Sequence, residues 1–372
     1  MADLRDRFRI AEKIPAPDLW PDIQERLGAA DPDQPVTLGL VVSAGSGPSR
    51  RDAARKWLTI AAAFLIAVPA IAFAIHAIHS SGQRSSGDKQ RASLFEQVHG
   101  WVAFAGSRQV IAIDPLDPSH QILLTGDGLN QPIAWSSDGS TLLVRRGPCC
   151  GKKHPLFALR SDGSEMRLTP RGQIFGASFS PDGSVVVYGY GSWKGRGGHV
   201  QSLYLVNTTG GAPTLLAKGD PNGTEYDFPA WSPDGSTIAF EAWSAEPNHA
   251  SISLMRPDGT DRRVLVSASE LGSGGFYGLD WSPDGSRLVF GVQTAKNRSE
   301  IWVVDSDGTG LQRLRHYGWS PSWSPDGSRI AFDTLTGQLI TMSADGGGVG
   351  TIAGATPISG SWVAWNPVAA GT

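Results

Sequence analysis

The segment WSPDGSRLVF at residues 281–290 returns almost letter for letter as WSPDGSRIAF at 323–332. Four altered or shortened copies begin elsewhere: WSSDGS at 135, FSPDGS at 179, WSPDGS at 231 and WNP at 365. A period of 40 to 50 residues with strand-like content is typical of propeller blades. The leading aromatic residues, 42 to 52 positions apart, are Trp135, Phe179, Trp231, Trp281, Trp323 and Trp365.

Each period contains four short apolar runs, most of them separated by turns that contain glycine. After Trp281 the runs are RLVF (287–290), IWVVD (301–305) and LQRLR (311–315), and the strand leading into the aromatic is the fourth. Four strands joined by tight turns predict one propeller blade.

The two ends of the repeat region predict how the ring closes. Three strand-like runs precede Trp135, at 101–106, 109–114 and 121–125, whereas only SWVAWNP (361–367) remains after the last full period. The C-terminal strand is therefore expected to complete the first blade, which gives an all-β fold of six blades. Closure of this kind removes exposed sheet edges.

The repeated phrase has the chemistry of a hairpin turn. Proline suits position i+1 of a type I turn, and glycine adopts the following left-handed conformation at little cost. Catalytic carboxylates must converge on one substrate, whereas equivalent turn tips on a ring diverge. We therefore predict an architectural role for the repeated aspartates, which are Asp138, Asp182, Asp234, Asp284 and Asp326.

The aromatic-S-P-D-G-S phrase, followed by a strand such as RIAF and a later segment such as IWVVDSDG (301–308), resembles the TolB-type, WD-like propeller family. The resemblance covers about residues 96–368. It implies a protein-interaction scaffold of the cell envelope, with the loop face and axial channel receiving partner segments. Similar blades also occur in prolyl-oligopeptidase-type peptidases and in some lyases.

Composition narrows the functional classes. The chain has 372 residues, a formal net charge of -3 and only 18% charged residues, which argues against a general nucleic-acid binder. Cys149 and Cys150 are adjacent and cannot form a disulfide framework. The sequence contains no G-x-S-x-G motif and no metal-ligand spacing, so we predict no enzymatic activity, no catalytic residue, no metal and no cofactor.

The N-terminal region contains an uncharged stretch of 19 residues, WLTIAAAFLIAVPAIAFAI at 57–75. This length approaches the thickness of a bilayer, and Arg50, Arg51, Arg55 and Lys56 precede it. We expect a single-pass helix (57–78) in the cell membrane, with the N-terminus cytoplasmic and the later residues extracytoplasmic. A buried core helix and a signal peptide are the alternatives.

Four regions follow from these boundaries: a cytoplasmic tail (1–56), the membrane helix (57–78), a linker (79–95) and the propeller (96–368). The helix-like stretch DLWPDIQERL (18–27) has a small apolar stripe. Docking of the stripe on a cytoplasmic partner for residues 1–30 or on the membrane surface is one interpretation, and nascent helix in a disordered tail is the other.

Function is expected on the loops between second and third strands, which vary while the hairpins are uniform. Basic residues occur on blades two and three, and acidic ones, including Asp227 and Glu241, around blade four. We predict a binding or sensing scaffold for a protein, a peptide or a cell-wall glycan; a lyase-type enzyme and a purely structural envelope protein are the alternatives. The candidate ligand-binding residues are Arg145, Arg146, Lys152, Trp193, Arg196, Tyr226, Trp243, Tyr277 and Tyr317.

Overall fold

The structure is a computed structural model. The predicted tail, the predicted membrane helix and most of the predicted linker lie outside the residues that it describes, as do Lys152 and Arg196. Among the residues that it does describe, no helix is both long and apolar enough to cross a bilayer. The described residues are 94–106, 109–126, 130–147, 154–170, 172–193, 199–220, 223–244, 250–294, 298–334, 336–352, 354–355, 357 and 362–369.

The strands of this part of the chain form six antiparallel sheets of four strands each, numbered here as blades 1 to 6. Blade 1 contains β24 (Val363–Trp365), β1 (Val102–Ala105), β2 (Val110–Ile113) and β3 (Gln121–Leu123). Blade 2 contains β4 (Asn130–Trp135), β5 (Thr141–Arg146), β6 (Leu156–Arg160) and β7 (Glu165–Arg167). Blade 3 contains β8 (Gln173–Phe179), β9 (Val185–Trp193), β10 (His199–Asn207) and β11 (Thr214–Ala217). Blade 4 contains β12 (Thr224–Trp231), β13 (Ile238–Ser244), β14 (Ser251–Met255) and β15 (Arg263–Ser267). Blade 5 contains β16 (Ser273–Trp281), β17 (Arg287–Thr294), β18 (Ser299–Asp305) and β19 (Gln312–His316). Blade 6 contains β20 (Trp319–Trp323), β21 (Arg329–Asp333), β22 (Leu339–Ser343) and β23 (Gly350–Thr351).

The ring closes as the sequence predicts. The C-terminal strand β24 pairs with β1 in an antiparallel register that places Trp365 opposite Val102 and Val363 opposite Phe104. The first strand of each blade lies against the first strand of the next, and β24 lies against β4. The predicted six-bladed propeller, completed by the C-terminal strand, is therefore confirmed.

The repeated phrase forms the hairpin between the first and second strands of a blade. In blade 5, Gly285 has φ +69°, and Asp284 Oδ1 accepts hydrogen bonds from Ser282 Oγ (2.6 Å) and the Ser286 amide (3.0 Å). These hydrogen bonds, led by the one from Ser282, lower the pKa of Asp284 to about 2. The other four copies have the same two contacts at their aspartates, so the predicted turn role is confirmed.

The leading aromatic residues pack between blades. Trp281 of blade 5 belongs to a buried cluster that contains Ala230 and Ala239 of blade 4 and Leu288 of its own blade. Its indole Nε1 donates to the Ala230 carbonyl across the blade boundary at 3.2 Å. Because a buried aromatic ring removes a large apolar area from water, these residues stabilise the contacts that hold the ring together.

Two local features go beyond the repeat pattern. A helical turn at 94–97 buries Phe95, whose ring meets Trp135 edge-on at 5.1 Å between centroids, although the sequence places Phe95 in the linker. A one-turn helix, Ala268–Leu271, precedes β16 and has a capping box formed by Ser267 and Glu270.

Candidate functional site

The six first strands enclose a cavity of about 310 Å³ on the propeller axis. It lies between the middle of these strands and the hairpins that contain the repeated phrase, a side of the ring that we call the hairpin face. Because one strand from each blade supplies equivalent positions, the cavity wall consists of stacked layers of side chains. We name each layer by the number of residues that separate it, in the sequence, from the leading aromatic of its blade.

The layer three residues before the aromatic contains backbone bulges. Gly176, Phe228, Gly278 and Ser320 have φ values of +106°, +45°, +58° and +50°, and the strand pairing shifts register at each of them. A phenylalanine in this conformation is uncommon, since its Cβ crowds the backbone. The bulges therefore change the direction of the first strands halfway along the axis.

Phe228 and Trp362 close the axis at this level. Their rings stack with 5.7 Å between centroids, and both residues line the cavity. A Cβ on Gly176 would lie 3.0 Å from the Phe228 Cα and 3.3 Å from the Trp362 ring, so the two rings fit because residue 176 is glycine. The cavity thus has an aromatic floor, and we call it the axial cup.

The rim of the cup lies at the hairpin face. It is formed by the residue two positions after the leading aromatic in each copy, which is proline in five blades and serine in blade 2. Ser137 is exposed, and its hydroxyl donates to the Pro181 carbonyl of blade 3 at 2.6 Å. Because proline has a restricted φ and no amide donor, this rim is rigid and weakly polar.

One layer of the wall contains an exception to the repeat. The residue just before the leading aromatic is alanine in three blades and serine in two, but it is Asp280 in blade 5. Among the described residues that line the cup, Asp280 is the one ionisable side chain. The layer consists of Ala134, Ser178, Ala230, Asp280, Ser322 and Ala364.

This layer also links neighbouring blades through hydrogen bonds. Asp280 Oδ2 accepts from the Trp323 amide at 2.8 Å. In the same way Ser178 accepts from the amide of Trp231 at 3.1 Å, and Ser322 from the amide of Trp365 at 3.1 Å. A structural role shared with the two serines explains the acceptor at position 280, but it does not require a charge there.

Burial raises the pKa of Asp280 to about 7. The carboxyl is half-buried because one side borders the cup, and protein atoms surround the rest of it. Hydrogen bonds from the Trp323 amide, the Ser322 hydroxyl and the Trp281 amide favour the ionised form and offset part of the burial effect. Asp280 can therefore exchange a proton near neutral pH.

A second group of acidic residues lies beyond the cup floor, on β12 and β13. Asp227 and Glu241 are register partners and both are buried, although the sequence suggests loop positions for them. Burial, followed by the nearby charge of Glu241, raises the pKa of Asp227 well above its ordinary value. Burial also raises the pKa of Glu225 to about 7. Glu241 accepts from the Phe276 amide of blade 5 at 2.7 Å, which ties the pair to the packing between blades.

The predicted arginines are held by other groups. Arg145 donates to the Ile174 carbonyl of blade 3 at 3.2 Å. Arg146 donates to Asn130 Oδ1 at 3.0 Å and pairs with Glu165 at 3.1 Å. Both side chains are half-buried. Arg145 joins blade 2 to blade 3, and Arg146 joins strands within blade 2.

The predicted aromatic residues do not gather into one patch. Tyr277 is buried, stacks on Trp319 at 3.7 Å and donates its hydroxyl to the Val292 carbonyl at 3.3 Å. Tyr226 and Trp243 are half-buried on blade 4, whereas Tyr317 has 58% of its surface exposed. The side chain of Trp193 lies outside the described part of the chain, as do Lys152 and Arg196.

The axial cup and Asp280 are absent from the sequence-based candidates. A detectable signal exists, because aligning the six copies on their aromatic residue shows one acidic residue in an otherwise small layer. Its meaning depends on a fact that the alignment lacks, namely that this layer borders a cavity.

Comparison with known proteins supports the same architecture. The sequence matches no protein-family model and no curated protein. TolB from Acinetobacter baumannii is 18% identical with a TM-score of 0.56, over 73% of this chain and 67% of that one. A putative TolB from Agrobacterium tumefaciens is 22% identical with a TM-score of 0.52, over 72% of this chain and 99% of that one. The chain is a six-bladed propeller with a fold similar to that of TolB.

Proposed function

We propose that this protein is a membrane-anchored, extracytoplasmic binding or sensing protein whose propeller receives a protein or peptide segment in the axial cup. The observation that carries the proposal is the cup itself. Its volume of about 310 Å³ lies at the small end of ordinary ligand sites.

The shape of the cup determines which kind of segment fits. The stacked rings of Phe228 and Trp362 obstruct the axis, so a segment that enters from the hairpin face meets an aromatic floor. A segment can insert one protruding side chain or a chain end from the hairpin face. The rim prolines and the closed ring hold the walls in place, which reduces the ordering that binding requires.

The membrane part of the proposal rests on the sequence. The apolar stretch 57–75 and the basic residues before it favour an anchor with the propeller outside the cell. The cytoplasmic tail would then be available to a second partner, so occupancy of the cup could be reported across the membrane.

Site-specific photo-crosslinking tests the proposal. A benzophenone amino acid is placed at Ser137 on the rim, or at Tyr317 as an exposed position away from the cup, in the full chain within its native membranes. Each product is digested, and the crosslinked segment is sequenced by mass spectrometry. We expect one defined segment from the rim position.

A blocking variant makes the test specific. Ala134 lies in the same wall layer as Asp280, and Ala134→Trp should fill the cup. The rim crosslink should disappear in that variant, provided that its unfolding transition remains cooperative. Persistence of the crosslink in the blocked protein, or a defined segment from Tyr317 alone, would contradict the axial site. The absence of any defined segment from either position would favour the structural alternative.

A further inference from the structure

We infer that the axial cup binds a positively charged nitrogen, an ammonium or guanidinium group, through the carboxylate of Asp280. The inference rests on the proposed function in one respect, that the partner's segment enters the cup. It adds the chemical class of the group that the segment must present there.

Charge occurs at one position among the described residues of the cup lining. Five of the six blades have alanine or serine in the layer that contains Asp280, and no other described residue of the cup lining is ionisable. A structural acceptor for the next blade's amide needs only a hydroxyl, as Ser178 and Ser322 show. The carboxylate therefore exceeds what the ring itself requires.

The carboxyl also remains accessible to a further donor. An ionised carboxylate offers about four lone-pair sites. The Trp323 amide occupies one of them at 2.8 Å from Oδ2, and the Ser322 hydroxyl and the Trp281 amide also favour the ionised form. The side of the carboxyl that borders the cup is open to a donor from a bound segment. An ammonium or guanidinium group supplies both that donor and a compensating charge.

The described residues supply no countercharge to Asp280. The elements packed against β16 contain four acidic side chains and one basic one, which are Glu225 and Asp227 on β12, Glu241 on β13, Glu270 on the helix 268–271 and Arg287 on β17. Glu241 binds the Phe276 amide beyond the floor, and Arg287 lies over the Trp323 ring at 4.9 Å. None of the five forms an ion pair with Asp280. Burial therefore acts unopposed by a cation and raises the pKa of the carboxyl. A bound cation would lower that pKa again and release a proton.

The surroundings of the cup favour a cation as well. Phe228 and Trp362 offer ring faces at the floor, and aromatic faces attract cations within about 6 Å. On the hairpin face, the turn aspartates of five blades surround the rim, and their hydrogen bonds hold their pKa values below the ordinary range. These ionised carboxylates give the approach to the cup a negative potential.

Binding of small probes to the full chain tests the inference directly. N-acetyl-lysine amide is compared with its neutral counterpart, N-acetyl-norleucine amide, by titration calorimetry at pH 7.5. N-acetyl-arginine amide tests a side-chain guanidinium group. Alanyl-alanine amide, compared with its N-acetylated form, tests the ammonium group of a chain terminus. We expect cationic probes to bind about tenfold more tightly than neutral ones.

Paired substitutions assign the effect to one carboxyl. Asp280→Asn keeps the size and the acceptor for the Trp323 amide but removes the charge, and it should abolish the preference for cations. The matched Asp307→Asn, in the exposed turn between β18 and β19 of the same blade and away from the rim, should leave it unchanged. The preference should also decrease as the pH falls from 8 to 5, because Asp280 then becomes protonated, and binding near pH 6 should release a proton. Equal binding of every cationic probe and its neutral counterpart, no effect of Asp280→Asn, or no binding of any probe would overturn the inference.

The crosslinked partner separates this inference from the proposed function. If Ser137 captures a segment that contains Lys, Arg or a free amino terminus, and Asp280→Asn reduces capture about tenfold, both hold. If the segment is neutral or acidic, or if Asp280→Asn does not reduce its capture, the inference of a bound cation is wrong but the axial site is supported. If nothing is captured but the probes show the Asp280-dependent preference, the cation chemistry stands and the natural ligand is smaller than a protein segment.

Discussion

Two aspartates of blade 5, four residues apart in the chain, have opposite properties. Asp284 is exposed in the hairpin turn, where hydrogen bonds lower its pKa to about 2. Asp280 borders the axial cup, where burial raises its pKa to about 7. The first recurs in every full copy of the repeat, and the second occurs once. An aspartate that is repeated in every full copy, such as Asp284, belongs to the architecture. An aspartate that replaces the alanine or serine of the other blades, as Asp280 does, indicates the candidate site.

Replacement of Asp280 should give the largest effect on stability. Its folded-state pKa is raised from 3.8 to about 7, so the native protein binds a proton more tightly than the unfolded chain and loses stability as the pH rises from about 4 to about 7. Asp280→Asn should match the parent near pH 4 and be more stable at pH 8, by at most about 4 kcal/mol. Urea unfolding across this pH range measures the difference. A parent that gains stability between pH 4 and 7 relative to the variant would contradict the assignment.

Removal of Glu241 tests whether the acidic pair beyond the floor is structural. Glu241→Ala leaves the buried Phe276 amide without its acceptor and should cost about 3 kcal/mol. Glu241→Gln keeps an acceptor and should cost much less. Unfolding at pH 5 compares the two, and equal losses would show that the amide contact is unimportant.

Substitution of Asp284 in the turn should lower the free energy of unfolding, whereas substitution of Asp280 should raise it at high pH. The effect at Asp284 should be the smaller of the two. Asp284→Ala removes hydrogen bonds from Ser282 and Ser286 and should destabilise the protein by about 1.5 kcal/mol at pH 7, since the side chain is exposed and solvent weakens the contribution. The lowered pKa makes this contribution present above about pH 4, and it is lost as the pH falls through about 2. Asp284→Asn keeps an acceptor without the charge and should retain only part of it. A stabilised Asp284→Ala protein at pH 7 would contradict the architectural role.

The turn glycine should give the smallest effect. A Cβ at Gly285 would meet Pro233 at an ordinary 3.7 Å, so the cost of Gly285→Ala comes from its φ of +69° and should be about 1 kcal/mol. Gly350, where a Cβ meets nothing within 4 Å and φ is not positive, is the matched control. Thermal unfolding measures both, and equal changes would exclude a conformational origin.

Most of the fold could be predicted because each blade repeats the same local chemistry. The spacing of Trp281, Trp323 and Trp365 gave the blades, and the unpaired last strand gave the closure, since both depend on hydrogen bonding and packing between neighbours in the sequence or in the ring. The helical turn around Phe95 and the helix at 268–271 were missed, because each occurs once and lies outside the repeat.

The candidate site could not be predicted in the same way. The loop residues that the sequence favours are partly tied into blade contacts, as Arg146 and Tyr277 are, or lie outside the described residues. Glu241 looks like a loop acid in the sequence but is buried, because it lies within the strand β13, which continues to Ser244.

The sequence by itself determined the number of blades, their strand order, the turn chemistry and the closing strand, because these follow from local periodicity and from the conformational preferences of Pro, Asp and Gly. The tertiary structure alone decided where the axis is blocked and which carboxyl is desolvated. Phe228 and Trp362 are more than a hundred residues apart and meet across the ring. The environment of Asp280 is likewise assembled from several blades, so its pKa is a property of the closed ring and not of its own segment.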